Sequence, residues 1–345
     1  MIPIQNIYYM LSYAFQVLNE QGYKNIATEQ FHNTAELMAA ILEKGIAIQL
    51  KRGLGKEYIL QTEALSSLQG KIDIAESIKT QSMLRKQLIC TYDEFSVNSI
   101  MNQIIKSTVE LLLRSNISKQ RKKNLRKLMV YFSEVDFIDS YTVNWNVQYN
   151  RNNQTYRMLI SICYLVVKGL LQTQSNGHTK LMDFLDEQRM CRLYEKFILE
   201  YYRKEFKNQI TANASQIPWQ LDNEENSMLS VMQSDIMLQS GEKVLIIDAK
   251  YYEHSTQVQF DKHTLHSGNL YQIFTYVKNK EYELREKDHT VSGMLLYAKT
   301  DEEIYPNNVY QMSGNQITVR TLDLNLPFDE IAGQLNTIAK THFDL

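Results

Sequence analysis

Residues 234–252, SDIMLQSGEKVLIIDAKYY, place the strongest constraint on how this chain can fold. The run VLII is continuously apolar, as in strands buried on both faces, and a second apolar run, IML, precedes it across a Ser-Gly turn signal. The two read as antiparallel strands closed by a two-residue Ser240-Gly241 loop. That loop sets Asp235 opposite Ile246 and makes Asp248 its diagonal neighbour on the same face, about 7 Å away. Lys250 follows on that face by the two-residue strand period. A three-residue loop without a bulge would turn Asp235 to the other face.

Two carboxylates and an ammonium converging at the end of a buried strand cost several kcal/mol unless something compensates them. A divalent cation does so. Mg²⁺ takes oxygen ligands and keeps several waters, so Asp235 and Asp248 with a backbone carbonyl form a suitable half-shell. A metal there polarises a phosphate and acidifies bound water, while Lys250 orients that water or stabilises developing charge. The simpler alternative is a structural Asp248–Lys250 ion pair at a strand end. Asp-x-Lys triplets are common, and Glu205-Phe206-Lys207 has the spacing on an expected helix.

With only 4 prolines and 12 glycines in 345 residues, long helices are expected. Apolar spacing predicts helices over 5–19, 34–49, 98–115, 119–134, 156–172, 186–206 and 269–280. KEYILQTEALSSLQGKIDI (56–74) reads as a small β element, 145–156 as a loop, and SGMLLYAK (292–299) as a strand. The polar stretch QTQSNGHTK (172–180) is the candidate boundary between a region 1–180 and a domain 181–345. Helix, hairpin, helix, strand is an α/β order, and it occupies the C-terminal half.

Net charge is −2, so no global basic field draws nucleic acid. KQRKKNLRK (119–127) is a local exception, with six cations and no acid, suited to DNA phosphates, an acidic partner or a solvated helix face. Cys90, Cys163 and Cys191 lack zinc or disulfide spacing and read as buried thiols. No P-loop pattern occurs, so nucleotide binding by that motif is not expected. The start of the chain lacks signal-peptide character, and the longest apolar run, 158–171, contains Lys168 and is short for a membrane span. The expectation is a cytoplasmic protein that does not enter a membrane.

SDIML…VLIIDAKYY resembles the PD-(D/E)xK nuclease core, with Ser234 where that family has proline. LYQIFTYV is similar to the Gln-x-x-x-Tyr element of its RecB-like branch, which supplies Gln272 and Tyr276, four apart on one helical face. IPIQNIYYMLSYAF (2–15), KRGLGKEYILQTEALSSLQGKIDIAESI (51–78) and YDEFSVNSIMNQIIKSTVELLL (92–113) resemble the McrC family, nuclease subunits of the McrBC modification-dependent restriction systems.

That resemblance implies an α/β PD-(D/E)xK fold, a mixed sheet flanked by helices, preceded by an α+β region of helices and a small β element. It further implies an N-terminal region that docks on a ring of McrB-like AAA+ GTPase, with GTP bound by the partner. The partner is expected to recognise methylated cytosine in DNA, and this chain to cut that DNA with Mg²⁺. Asp235 and Asp248 become metal ligands, Lys250 the catalytic lysine, and Gln272 and Tyr276 supporting residues. Glu195, in LYEKF, stands where related nucleases place an acidic residue, as an extra ligand or as a solvent-facing carboxylate near Lys196. The rivals are a catalytically silent regulator of the partner GTPase and a RecB-like repair nuclease.

Overall fold

A computed structural model describes residues 2–19, 23, 26, 29–139, 142–151, 153–174, 187–222, 228–252, 257–259, 262–299 and 305–345. The chain divides into two compact units, one formed by Met1–Ala27 with Phe184–Leu345, the other by Thr28–Asp183. The expected boundary segment 172–180 falls largely outside the described residues.

The first helix, α1 (Ile4–Ala14), buries Ile7, Met10, Leu11 and Ala14. It belongs to the unit built mainly from the C-terminal half, which departs from the 1–180 division. Asn6 donates to the carbonyls of Leu324 and Leu326, both at 2.8 Å. Tyr9 stacks on Phe328 with centroids 4.5 Å apart, and Tyr13 meets Phe197 and Tyr201 at 5.7 and 5.2 Å. Such aromatic contacts bring large apolar area together. They join segments about 200 to 320 residues apart, beyond the reach of local periodicity.

The second unit holds α2 (Thr34–Arg52), β1 (Glu57–Leu65), β2 (Lys71–Asp73), α3 (Ile74–Lys79), β3 (Leu88–Ser96), α4 (Ile100–Arg114), α5 (Lys119–Met129) and α6 (Tyr156–Gln174). Side chains of Asn33, Ser99 and Ser118 cap α2, α4 and α5, accepting from the N–H three residues on. The expected β element is an antiparallel sheet of order β1-β3-β2. Buried Tyr156 accepts from the Gly55 N–H at 2.7 Å and donates to Asn102 at 2.8 Å, fixing the entry to β1 against α4 and α6.

The larger unit continues with α7 (Glu187–Glu205), β4 (Thr211–Asn213), β5 (Gln216–Ile217), β6 (Met232–Gln233), β7 (Ile236–Ser240), β8 (Lys243–Lys250), β9 (Gln257–Gln259), β10 (Lys262–Thr264), α8 (Ser267–Glu283), β11 (Thr290–Ala298), β12 (Asn308–Met312), β13 (Asn315–Leu322) and α9 (Phe328–Phe343). Its main sheet has the order β12-β13-β11-β8-β7-β4, with β8, β11 and β13 mutually parallel and the remaining pairs antiparallel. β8 is buried from Val244 to Ala249, as its uninterrupted apolar run requires. α8 carries the chain from β8 to parallel β11 and packs on both. Gly293 permits that approach: a Cβ there would stand 2.8 Å from Ile273 and 2.9 Å from Val277 of α8.

Candidate active site

The hairpin forms with a two-residue loop, but the loop is Gly241-Glu242 rather than Ser240-Gly241. Ser240 pairs with Lys243 and Ile236 with Ile247. Gly241 sits at φ +57, a left-handed value that glycine takes without steric cost, whereas Ser240 would be strained there. The register therefore slides by two residues. Because the slide is even, Asp235 stays on the face of Asp248, and extending the ladder places it opposite Asp248 rather than diagonal to it.

The Asp235 carboxylate accepts from the Ala249 N–H at 3.0 Å, which holds it against the end of β8. Asp248 is 1% exposed, and both its carboxylate oxygens are buried without a hydrogen-bond donor in proper geometry. Lys250 Nζ lies 2.8 Å from Asp248 Oδ2, an ion-pair contact by distance. Burial foremost raises the Asp248 carboxyl above the ordinary range; Lys250 pulls it down and Asp235 pushes it up again. Burial raises Asp235 too, against Lys250 and the Ala249 N–H. For Lys250, burial favours the neutral amine, yet Asp248 and Asp235 together outweigh it and hold the ammonium charged.

The Gln-x-x-x-Tyr pair arrives from α8. Lys250 Nζ donates to Gln272 Oε1 at 3.2 Å, Gln272 Nε2 donates to the Tyr276 hydroxyl at 2.8 Å, and that hydroxyl donates to the Gln233 carbonyl at 3.1 Å. One chain of hydrogen bonds thus runs from the lysine through α8 to β6, two residues before Asp235. Ser234, where the nuclease-core resemblance expects proline, is 1% exposed, and its N–H donates to the Ser215 carbonyl at 3.0 Å. Proline has no N–H and could not make that bond, which disfavours it at this position.

Glu195, on α7, is half-buried and accepts from the Cys191 thiol at 3.0 Å. Burial raises its carboxyl, and the charge of Asp235 raises it further, so the two carboxylates are electrostatic neighbours. Among the described residues, however, no group of three or more His, Cys, Asp or Glu is compact enough to hold a metal ion. Cys191 is half-buried rather than buried, while Cys90 and Cys163 are buried as expected.

Sequence reasoning missed the other flank of Lys250. Tyr297, fully buried and paired with Lys250 across β8 and β11, accepts from Asn269 at 2.9 Å. The Tyr252 hydroxyl donates to the same Asn269 at 3.4 Å. Tyr252 sits two residues after Lys250 on the strand period, a signal that could have placed it beside the lysine.

Fold and site together define an α/β protein with a buried carboxylate–lysine cluster at the end of a central strand. The family described as "McrBC 5-methylcytosine restriction system component" matches residues 5–298, so the chain belongs to that family. It is 29% identical over 331 residues to the "Type IV methyl-directed restriction enzyme EcoKMcrBC" of Escherichia coli (strain K12), covering 94% of this chain and 93% of that protein. Among solved structures, it is similar to a chain of the half-complex from the tetradecameric assembly of Thermococcus gammatolerans McrB AAA+ hexamers with bound McrC. The TM-score is 0.49 at 18% identity, covering 97% of this chain and 76% of the other. A cryo-EM structure of the Thermococcus gammatolerans McrBC complex gives a TM-score of 0.42 at 21% identity, with 59% of each chain covered.

Proposed function

We propose that this chain is the DNA endonuclease subunit of a methylcytosine-dependent restriction complex, with the PD-(D/E)xK site at Asp235, Asp248 and Lys250. The observation that carries the reading is the Asp248 carboxylate: 1% exposed, with Oδ1 given no partner and Oδ2 met by Lys250 Nζ at 2.8 Å, beside the half-buried carboxylate of Asp235. Oxygen donors left in that state suit a hard divalent cation, and two carboxylates with water completing the shell suit Mg²⁺. Asp235 and Asp248 would hold it. When bound, Mg²⁺ polarises a phosphate oxygen and acidifies water.

The chain's own residues supply the rest. Lys250 stays protonated, and of its three N–H donors one is given to Gln272 and one side faces Asp248. The remaining donor is free to meet a phosphate oxygen or an incoming water as negative charge builds. Gln272 and Tyr276 fix the lysine's direction through the chain to Gln233. Glu195 adds negative potential near Asp235 and is a candidate for an outer, water-mediated contact to the cation.

In this reading the partner is an McrB-like AAA+ GTPase ring, which recognises the methylated DNA, binds the GTP and is engaged by the N-terminal region, residues 1–180. Support comes from membership of the restriction-system family and from the E. coli relative. Among the described residues no helix is long and apolar enough to cross a membrane. The test is cleavage of methylated DNA by the reconstituted complex with GTP and Mg²⁺. Asp248→Asn and Lys250→Ala should each abolish cutting while partner GTP hydrolysis stays stimulated; undiminished cutting by both would favour a silent regulator.

A further inference from the structure

The run 119–127 forms α5, and the helix sorts its cations into two groups. Arg121 faces inward. Its guanidinium reaches Glu29 at 2.6 Å, Glu43 at 2.8 Å and Glu36 at 3.4 Å, and it lies on the side of buried Leu125. An arginine bonded to three carboxylates is a structural anchor, and it fixes the rotation of the helix about its axis.

Lys119, Lys123, Arg126 and Lys127 consequently stand on the opposite, exposed side. Their i, i+4, i+7, i+8 spacing aligns them in a single row. Among the described residues none of the four side chains makes a hydrogen bond or ion pair. Glu36, Glu43 and Glu29 are instead bonded to Arg121.

Six of the chain's 37 cations lie in this run, and the other 31 stand against 39 carboxylates. The row is therefore a positive feature on an acidic background, and its complement is a polyanion. Within the helix the exposed side shows only Lys, Arg and Gln. Val130 and Tyr131, exposed just beyond it, add too little apolar surface for the buried centre of a protein interface. From Lys119 to Lys127 the helix rises about 12 Å, about the axial rise of three to four phosphates on one DNA strand.

We propose that the outer face of α5 is a sequence-independent docking surface for the DNA phosphate backbone. It would hold duplex near the complex by its phosphates: three of the four cations are lysines, and the exposed amide beside them, Gln120, is bonded to Asn124 at 2.9 Å. The inference concerns binding, so it stands or falls separately from the proposed cleavage chemistry.

The test is fluorescence anisotropy of this 345-residue chain on an unmethylated DNA duplex, titrated between about 50 and 200 mM NaCl. Lys119→Gln/Lys123→Gln/Lys127→Gln is compared with a charge-matched control, Lys207→Gln/Lys287→Gln/Lys340→Gln, after melting curves confirm that both fold. The α5 variant should bind at least tenfold more weakly at low salt, and its slope of log affinity on log salt should be shallower by about 2–3, at ~0.9 per phosphate contact. The control should stay within about twofold of the parent chain. Equal losses in the two variants, no binding by the parent chain at 50 mM NaCl, or intact DNA binding with lost capture of the GTPase ring would each overturn the proposal.

Discussion

Asp235 is tied to the backbone of Ala249, the residue between Asp248 and Lys250, by a hydrogen bond of 3.0 Å. One carboxylate thus has a structural role and a candidate chemical role, and substitutions separate them. Asp235→Asn keeps an acceptor for the Ala249 N–H and should retain stability within about 1 kcal/mol, while DNA cleavage by the complex disappears. Asp235→Ala strands that N–H and should also cost about 1–3 kcal/mol. Urea unfolding and cleavage assays on both variants make the comparison.

The raised carboxyls give Mg²⁺ binding a defined pH dependence. A carboxyl whose folded value exceeds its ordinary 3.8 stabilises the fold fully below that value, and the contribution is lost as pH rises through the folded value, about 7 for Asp248. Mg²⁺ binds the ionised form and competes with the proton. Its stabilising effect in a thermal melt should be small at pH 5 and grow toward pH 8, by up to about tenfold in apparent affinity per pH unit below the folded value. Asp248→Asn should flatten the dependence.

The Lys250–Gln272–Tyr276–Gln233 chain predicts graded losses. Gln272→Ala removes both of its links and should lower cleavage by at least about tenfold, a loss of about 1.4 kcal/mol or more in transition-state stabilisation. Tyr276→Phe leaves Gln272 bonded to Lys250 and should cost less activity, with about 1 kcal/mol of stability lost. Single-turnover cleavage and chemical denaturation measure the two. Equal, full activity in both would show that the chain does not position the lysine.

Placing the proline that the nuclease-core resemblance expects at position 234 should harm this protein. Ser234→Pro removes the N–H that bonds the Ser215 carbonyl in a buried setting and should destabilise by about 1–3 kcal/mol. Ser234→Ala keeps that N–H and should cost about 1 kcal/mol or less. A proline variant as stable as the parent would refute the argument that this backbone bond disfavours proline.

Most helices were legible because their apolar residues recur at i, i+3 and i+4. The face shared by Asp235, Asp248 and Lys250 was legible because strand parity survives an even slip. The slip itself was not: Ser240-Gly241 and Gly241-Glu242 are both two-residue loops, and the choice rests on which residue takes φ +57. The attachment of residues 1–27 to the C-terminal half was hidden, since Tyr9 and Tyr13 find Phe197, Tyr201 and Phe328 only in three dimensions. So was the Asn269–Tyr297 bond beside Lys250, which joins α8 to a strand with no local pattern linking them.

The most direct test of the central claim is a crystal of the protein soaked in Mn²⁺, a Mg²⁺ substitute with an anomalous signal. The account predicts one anomalous peak within bonding distance of carboxylate oxygens from both Asp235 and Asp248, absent in Asp248→Asn. Full Mn²⁺ occupancy elsewhere, with the two aspartates left unliganded, would contradict it.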